Sequence, residues 1–220
     1  QPKAQYILRD GQIEIIEKAR RNNKVLVQIG TNDGIDEFNG LCQYSSPSKV
    51  ILIEPIISFN ESIRLSYRDV KNVTIENVAI TDIERGEVTL VIPKNRKDIW
   101  HTGNYTLLPM NDWGNDFEEH KSSSMTFMQL CEKYELSNIH YLQIDTEGFD
   151  YEIIKSINFN KINIDMIKYE KFGFSTEVYS RHGEKGKQYG IAGLNFVADL
   201  LIKLGYTLQE EVSDIIAIKN

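Results

Sequence analysis

Two carboxylates separated by one residue follow a short apolar run in the second half of the chain. Asp145 and Glu147 come directly after residues 141–144, which are typical of a buried strand. Alternation along an extended segment predicts that both side chains point the same way. Either carboxylate can take a proton from a hydroxyl, and together with Glu170 they can hold a divalent cation through oxygen ligands. In the alternative interpretation, Asp145 or Thr146 caps the following helix and Glu147 favours its positive end.

Histidines and aromatic residues in two irregular segments are further site candidates. His101 lies in segment 93–115, which has no clean periodicity, and His182 lies in the polar, glycine-containing segment 173–190. The second segment predicts a loop or lid. Either imidazole can serve as an alternative general base. Aromatic side chains of segment 93–115 can form a platform for an apolar or sugar face; they are Trp100, Tyr105 and Trp113.

A glycine-containing turn follows the first apolar run of the chain, at residues 24–30. Its sequence is Gly30-Thr31-Asn32-Asp33-Gly34, and glycine permits both a sharp turn and the close approach of a ligand. The spacing is neither the G-x-G-x-x-G of a dinucleotide cradle nor a P-loop. Glu54 ends the next apolar run, about 20 residues further on, where a carboxylate can accept both hydroxyls of a ribose. The two features together predict a ligand that contains a nucleoside.

Apolar runs and helical periodicities alternate along the chain and predict the elements that carry these residues. Strand-like runs occupy residues 24–30, 49–54, 73–80, 88–92, 141–144 and 164–169, followed by an antiparallel pair at 206–210 and 215–218. Helical spacing occurs at 10–21, 59–67, 125–134, 151–157 and 194–204. This alternation is typical of an α/β domain with a mostly parallel sheet. Such sheets bind ligands beyond the carboxyl ends of their strands, where the candidate residues lie.

The chain resembles the FkbM-type S-adenosylmethionine-dependent methyltransferases in five segments that occur in the family's order. These are VQIGTNDG, LIEP, NVAITD, LQIDTEGFDYEII and IKYEKFGF, within residues 24–218. The most specific element is IDTEGFD. The resemblance implies a Rossmann-like class I methyltransferase fold, with a mostly parallel seven-stranded sheet, an antiparallel C-terminal strand and helices on both faces.

The resemblance also implies S-adenosylmethionine as cofactor and assigns the residues that bind it. Glu54 matches the ribose acid, and residues 77–80 match the place where such folds contact adenine. Gln28 stands where many class I enzymes carry an acid near the methionine amine, so Asp33 or Asp145 would have to supply the charge. The implied cofactor-binding residues are Gln28, Gly30, Thr31, Asn32, Asp33, Gly34, Glu54, Ala79, Ile80 and Asp145.

Composition and charge exclude several classes of protein. The 220 residues carry a net charge of −7 and are 41% hydrophobic, which excludes a disordered chain, a collagen and a coiled-coil rod. No apolar run is long enough to span a membrane, and the acidic balance disfavours nucleic acid as a partner. With two cysteines and no secretory signal, we expect a reducing compartment, the cytoplasm.

The sequence therefore predicts a single methyltransferase domain over residues 1–220, which could be part of a longer polypeptide because the chain begins with Gln1. The predicted reaction is O-methylation of a hydroxyl on a small molecule or glycan, with a sugar as the favoured acceptor. A divalent metal stays an open option. The alternatives are a non-catalytic methyltransferase-like domain that binds glycans or serves as a scaffold, and a nicotinamide-dependent oxidoreductase, which the missing G-x-G-x-x-G disfavours.

Overall fold

A computed structural model describes residues 24–94, 105–109, 111, 114–171, 179–184, 186 and 191–220. The helix predicted at 10–21 lies outside these residues, as do His101, Trp100 and Trp113. None of the described helices is long and apolar enough to cross a membrane.

Strands and helices alternate along the described chain. The strands are β1 (Val25–Ile29), β2 (Lys49–Ile53), β3 (Val73–Glu76), β4 (Ala79–Thr81), β5 (Glu87–Pro93), β6 (Phe117–Thr126), β7 (Asn138–Ile139), β8 (Tyr141–Ile144), β9 (Asn163–Ile164), β10 (Met166–Glu170), β11 (Tyr206–Glu210) and β12 (Asp214–Lys219). The helices are α1 (Glu37–Ser45), α2 (Asn60–Ser66), α3 (Phe127–Lys133), α4 (Asp150–Ser156) and α5 (Ile191–Lys203). Short 3-10 turns occupy Ile57–Phe59 and Ser180–His182.

Seven of these strands form the central sheet, in the order β11-β12-β10-β8-β1-β2-β3. Strands β3, β2, β1, β8 and β10 are parallel neighbours, and β12 runs antiparallel to both β10 and β11. The predicted fold, including the antiparallel C-terminal strand, is confirmed. Strand order reverses between β1 and β8, because the chain proceeds from β1 towards β3 on one side and from β8 towards β11 on the other. Parallel sheets bind their ligands at such a switch point.

Both faces of the sheet are covered because its central strands are apolar on both sides. In β1, Leu26 packs with α1 and α2 through Phe38 and Ile63. Val27, on the other face, packs in the cluster formed with α3, α4 and α5, which includes Phe127, Ile153 and Val197. Residues Leu26, Val27, Phe38, Ile63, Phe127, Ile153 and Val197 are all at most 3% exposed. Because helices pack against both faces, the central strands are held in place. The candidate residues begin at the ends of these strands.

A second, three-stranded sheet, β4-β6-β5, stands beside the main one. The prediction of one strand over 73–80 is wrong, because the chain leaves the main sheet between β3 and β4. Asn77 marks the break: its side-chain amide donates to the Glu54 carbonyl (2.8 Å) and to Asn60 Oδ1 (2.9 Å). Strand β6 and helix α1 had no counterpart in the sequence-based assignment. Because of this break, Ala79 and Ile80 lie near the carboxyl ends of the central strands.

Candidate active site

A cavity opens beyond the carboxyl ends of β1, β2 and β8, at the switch point of the sheet. Its polar lining consists of Gly30, Asn32, Glu54, Asp145, Thr146 and Glu147. Its apolar wall consists of Ile29, Ile53, Pro55, Val78, Ala79, Ile80, Leu90, Leu107 and Phe149, with the ring of Tyr105. The structure thus brings together predicted site residues from the ends of β1, β2 and β8 and from β4.

Glu54 is a buried carboxylate of the cavity that is held by two backbone N–H groups. It is 4% exposed, and its two oxygens accept backbone N–H groups from Asn32 (2.7 Å) and Ile56 (2.9 Å). Burial raises the pKa of Glu54 to about 7, against the effect of these two hydrogen bonds. Each carboxylate oxygen keeps a further lone pair, so Glu54 can still accept hydroxyl groups from a ligand.

The glycine turn after β1 has a structural role that the sequence did not reveal. Gly30 has φ +83°, and a Cβ atom there would lie 1.7 Å from the Asp145 carbonyl oxygen, so glycine is required for β1 and β8 to approach. Gly34 faces Tyr67 and Ile63 of the α2 region rather than the cavity. Thr31 is buried against the Ile53 carbonyl. Among the predicted loop residues, Gly30 and Asn32 therefore line the cavity.

Gln28 lies behind this lining and bonds to a carboxylate that the sequence analysis missed. Its side-chain amide donates to Asp36, and the Tyr67 hydroxyl donates to its carbonyl oxygen (3.4 Å). Asp36 also accepts the Asn39 N–H as the N-cap of α1. Burial and then the neighbouring Glu37 carboxylate raise the pKa of Asp36 to about 6. Asp33, predicted to supply charge near Gln28, instead accepts the Ile35 N–H and does not line the cavity.

Asp145 and Glu147 both line the cavity, but for a different reason from the predicted one. The segment is not extended, because Glu147 has φ +54° and Gly148 has φ +105°. A tight turn after β8, rather than strand alternation, brings the two carboxylates to the same side. The carbonyl of Glu147 accepts hydrogen bonds from the hydroxyls of Thr106 (2.9 Å) and Tyr179 (3.4 Å).

The alternative role of Asp145 and Thr146 as helix caps is wrong. Helix α4 begins after Phe149 with no side-chain cap. Asp150, on the helix itself, accepts hydrogen bonds from both the N–H (3.0 Å) and the hydroxyl of Thr146, and from the N–H of Glu170 (3.1 Å). Asp150 is 0% exposed. This buried carboxylate, to which the sequence analysis gave no role, ties the turn after β8 to the end of β10.

Carboxylates are crowded at this edge of the sheet. Asp145 is exposed towards the open cavity, yet protein atoms crowd its carboxyl group; this desolvation, followed by repulsion from Glu147 and Asp150, raises its pKa well above the ordinary range. Burial and then Asp145 raise the pKa of Glu170 to about 10, and the Glu170 Oε2 atom is buried without a hydrogen-bond partner. Lys168, the nearby cation on β10, is already bound to Glu37 and Asp214. The cavity edge thus holds more acidic groups than it keeps ionised, and a cationic ligand would favour their ionised forms.

The candidate metal ligands do not form a metal site within the described part of the chain. No group of three or more His, Cys, Asp or Glu side chains among those residues is arranged to hold an ion. As carboxylates, Asp145, Glu147 and Glu170 can still accept protons and hydrogen bonds, and they can attract a positively charged ligand.

We expect the ligand-free protein to lose stability as the pH rises from about 4.5 to about 7, between the ordinary and the raised pKa values of two buried acids. Glu54 and Asp36 have pKa values of about 7 and about 6, above the ordinary values of these acids. Between the unfolded and folded pKa values the folded state holds more protons, so its free energy of unfolding falls with rising pH. The measurement is the thermal midpoint across this range, where 1 kcal/mol corresponds to about 2–4 °C in a chain of this size. The slope should flatten in Glu54→Gln; a midpoint that rises with pH would contradict the assignment.

The remaining predicted residues lie around the cavity rather than in it. His182 does not line it: its Nε2 donates to the Pro109 carbonyl (2.9 Å), and its ring lies 6.2 Å from that of Tyr179. Tyr105 does line it, with its hydroxyl donating to Glu118 Oε1 (3.0 Å) and its ring 6.0 Å from that of His120. His101 lies outside the described residues.

Comparison with known proteins gives one family and one fold. The family model of the methyltransferase FkbM domain matches residues 28–208. The O-methyltransferase TomG of Streptomyces achromogenes, involved in tomaymycin synthesis and solved with S-adenosylmethionine, is 10% identical with a TM-score of 0.51, over 99% of this chain and 83% of TomG. SMU.1697c of Streptococcus mutans, solved with S-adenosylhomocysteine, is 12% identical with a TM-score of 0.49, over 97% of this chain and 99% of that protein. No curated protein matches the chain in sequence. The likeness to TomG shows that the two chains share a fold.

Proposed function

Because the chain belongs to the FkbM methyltransferase family, we propose that it transfers the methyl group of S-adenosylmethionine to a hydroxyl oxygen of a sugar or glycan. The observation that carries this proposal is the presence of Asp145 and Glu147 on the same cavity as Gly30 and Glu54. One group of residues suits the donor, and the other suits removal of a proton from the acceptor.

The residues of the cavity fit S-adenosylmethionine, which supplies an electrophilic methyl group on a cationic sulfur. Glu54 would accept the ribose hydroxyls, because its two oxygens are already oriented by backbone N–H groups. Ala79 and Ile80 belong to the apolar wall against which adenine would pack. The crowded acids Asp145 and Glu170 suit the positive charge of the donor, which would favour their ionised forms.

Asp145 is the proposed general base. An aliphatic hydroxyl is a poor nucleophile until a base takes its proton as the new bond forms. The Asp145 carboxylate faces the cavity, and its raised pKa gives it the basicity that this step requires. The cationic donor would favour the ionised form of Asp145 before the acceptor proton arrives. Glu147, on the same turn, would accept a hydrogen bond from the acceptor or take the proton in the place of Asp145.

A sugar acceptor is supported by the chemistry at the cavity wall. The ring of Tyr105 contributes an aromatic face whose hydroxyl is held by Glu118, and sugar rings pack on such faces. Carboxylates nearby can accept hydrogen bonds from sugar hydroxyls.

We also propose that residues 1–220 act as one methyltransferase domain in the cytoplasm, where the buried free thiols of Cys42 and Cys131 stay reduced.

The test is transfer of a radiolabelled methyl group from S-adenosylmethionine to a panel of mono- and oligosaccharides. The expected product carries the label on an oxygen, as a methyl ether. A panel of amines and thiols serves as the comparison class. Labelled amines or thiols with unlabelled sugars would overturn the hydroxyl acceptor, and binding of S-adenosylhomocysteine without transfer to any acceptor would favour a non-catalytic domain.

A further inference from the structure

The turn that carries Asp145 and Glu147 adopts a backbone conformation that its own sequence does not favour. Glu147 has φ +54°, in the left-handed region, which is strained for a residue other than glycine. Such a conformation persists only where the surrounding structure holds it. Asp150 of helix α4 holds the turn at Thr146, but the helix N-terminus has no side-chain cap, so Glu147 is not held in that way.

Two buried hydroxyls hold this turn from outside. The Glu147 carbonyl accepts from Thr106 Oγ1 at 2.9 Å and from the Tyr179 hydroxyl at 3.4 Å, and a carbonyl oxygen has two lone pairs for two such donors. Thr106 is 1% and Tyr179 0% exposed. Thr106 Oγ1 also accepts the Leu108 N–H (2.9 Å), so its own orientation is fixed.

Tyr179 also explains the glycine in the turn. A Cβ atom on Gly148 would lie 1.9 Å from the Tyr179 hydroxyl oxygen, so the phenol occupies the space that a side chain at position 148 would need. With φ +105°, Gly148 also has a backbone conformation that other residues rarely adopt. Both the backbone conformation at position 148 and the position of the Tyr179 hydroxyl therefore require glycine there.

The segments that supply the two hydroxyls are bonded to each other. His182 Nε2 donates to the Pro109 carbonyl (2.9 Å), and the Arg181 N–H donates to Asn111 Oδ1 (2.7 Å). The Tyr179 and Thr106 segments are more than 70 residues apart in sequence, yet they meet over the same carbonyl. These hydrogen bonds join the two segments into one support for the turn.

We propose that Thr106 and Tyr179 are positioning residues: their hydroxyls fix the Glu147 carbonyl and thereby keep the Asp145 and Glu147 carboxylates directed into the cavity. The proposal rests on the function proposed above. Neither residue needs to touch the donor or the acceptor. Misplacement of a catalytic group by about 1 Å can cost about 100-fold in rate, so loss of either hydroxyl should act on turnover.

The kinetic test compares three variants that differ by single groups. Thr106→Val and Tyr179→Phe remove one hydroxyl each and keep the volume, whereas Thr106→Ser keeps the hydroxyl. We expect kcat to fall about 10–100-fold in the first two, with KM for the donor nearly unchanged, and to stay close to the parent value in Thr106→Ser. Tyr44→Phe, on the exposed side of α1, is the matched control.

A second measurement requires no acceptor. Hydrogen–deuterium exchange of the amides at 145–150 should be faster in Thr106→Val and Tyr179→Phe than in the parent, and parent-like in Thr106→Ser. If the parent methylates no acceptor, the proposed function fails, but this exchange pattern still decides whether the two hydroxyls hold the turn. Parent-like exchange in both hydroxyl-free variants, or equal loss of kcat in Thr106→Ser and Thr106→Val, would overturn the positioning role.

Discussion

Asp145→Asn should lower kcat by about 10²–10⁴-fold, the usual contribution of a general base. Asparagine keeps the size and most of the hydrogen bonding of the side chain but cannot take the acceptor proton. The thermal midpoint should change little, because α4 is not capped by Asp145 and the turn is held by Asp150 and the Glu147 carbonyl. The measurement is kcat at saturating donor and acceptor.

Two parallel variants make this result specific to Asp145. Asp69→Asn changes an exposed aspartate away from the cavity and should leave kcat at the parent value. Glu147→Gln identifies the carboxylate that takes the proton, since a larger loss there than in Asp145→Asn would transfer the role of base to Glu147. Near-parental turnover in Asp145→Asn, in a folded protein, would remove Asp145 from catalysis.

Glu54→Ala should weaken binding of S-adenosylhomocysteine by about 1.5–3 kcal/mol, equivalent to about 10–150-fold in Kd. That range is typical of hydrogen bonds to a charged group, here the carboxylate that would accept the ribose hydroxyls. Calorimetric titration measures the change. Because alanine also leaves the N–H groups of Asn32 and Ile56 without their partner, Glu54→Gln is the more conservative companion.

The control for this variant is Glu61→Gln, an exposed glutamate in the first turn of α2. It should bind S-adenosylhomocysteine as the parent does. Unchanged affinity in both Glu54 variants would show that Glu54 does not contact the ribose. A loss in Glu54→Ala that is fully restored in Glu54→Gln would indicate that the role of Glu54 is to hold the turn at Asn32.

The sequence predicted the strands around the cavity because they carry strong local signals. Strands β1, β2 and β8 are mostly apolar, buried on both faces, and followed by Gly30, Glu54 and Asp145. Strand β6 lacked such a signal, since it is largely polar and partly exposed. Helix α1 was missed although its signal is present: Asp36 is its N-cap, and four of its five buried residues follow at helical spacing, namely Phe38, Leu41, Cys42 and Ser45.

The supporting residues of the site could not be predicted in this way. Asp150, Thr106 and Tyr179 act through hydrogen bonds to the turn after β8, and the two hydroxyls come from segments more than 30 residues distant from it. No periodicity or spacing encodes such contacts. The role of Gly30 was likewise hidden, because the atom that excludes a side chain there belongs to Asp145, on a strand that is adjacent only in the fold.

A crystal structure with S-adenosylhomocysteine is the most direct test of the proposed site. We expect the ligand in the cavity between β1, β2 and β8, with both ribose hydroxyls within hydrogen-bond distance of Glu54. The adenine should pack against Ala79 and Ile80, and the sulfur should face the side of the cavity that carries Asp145. A ligand bound elsewhere, or bound in the cavity with its ribose away from Glu54 and its sulfur away from Asp145, would contradict the proposed site.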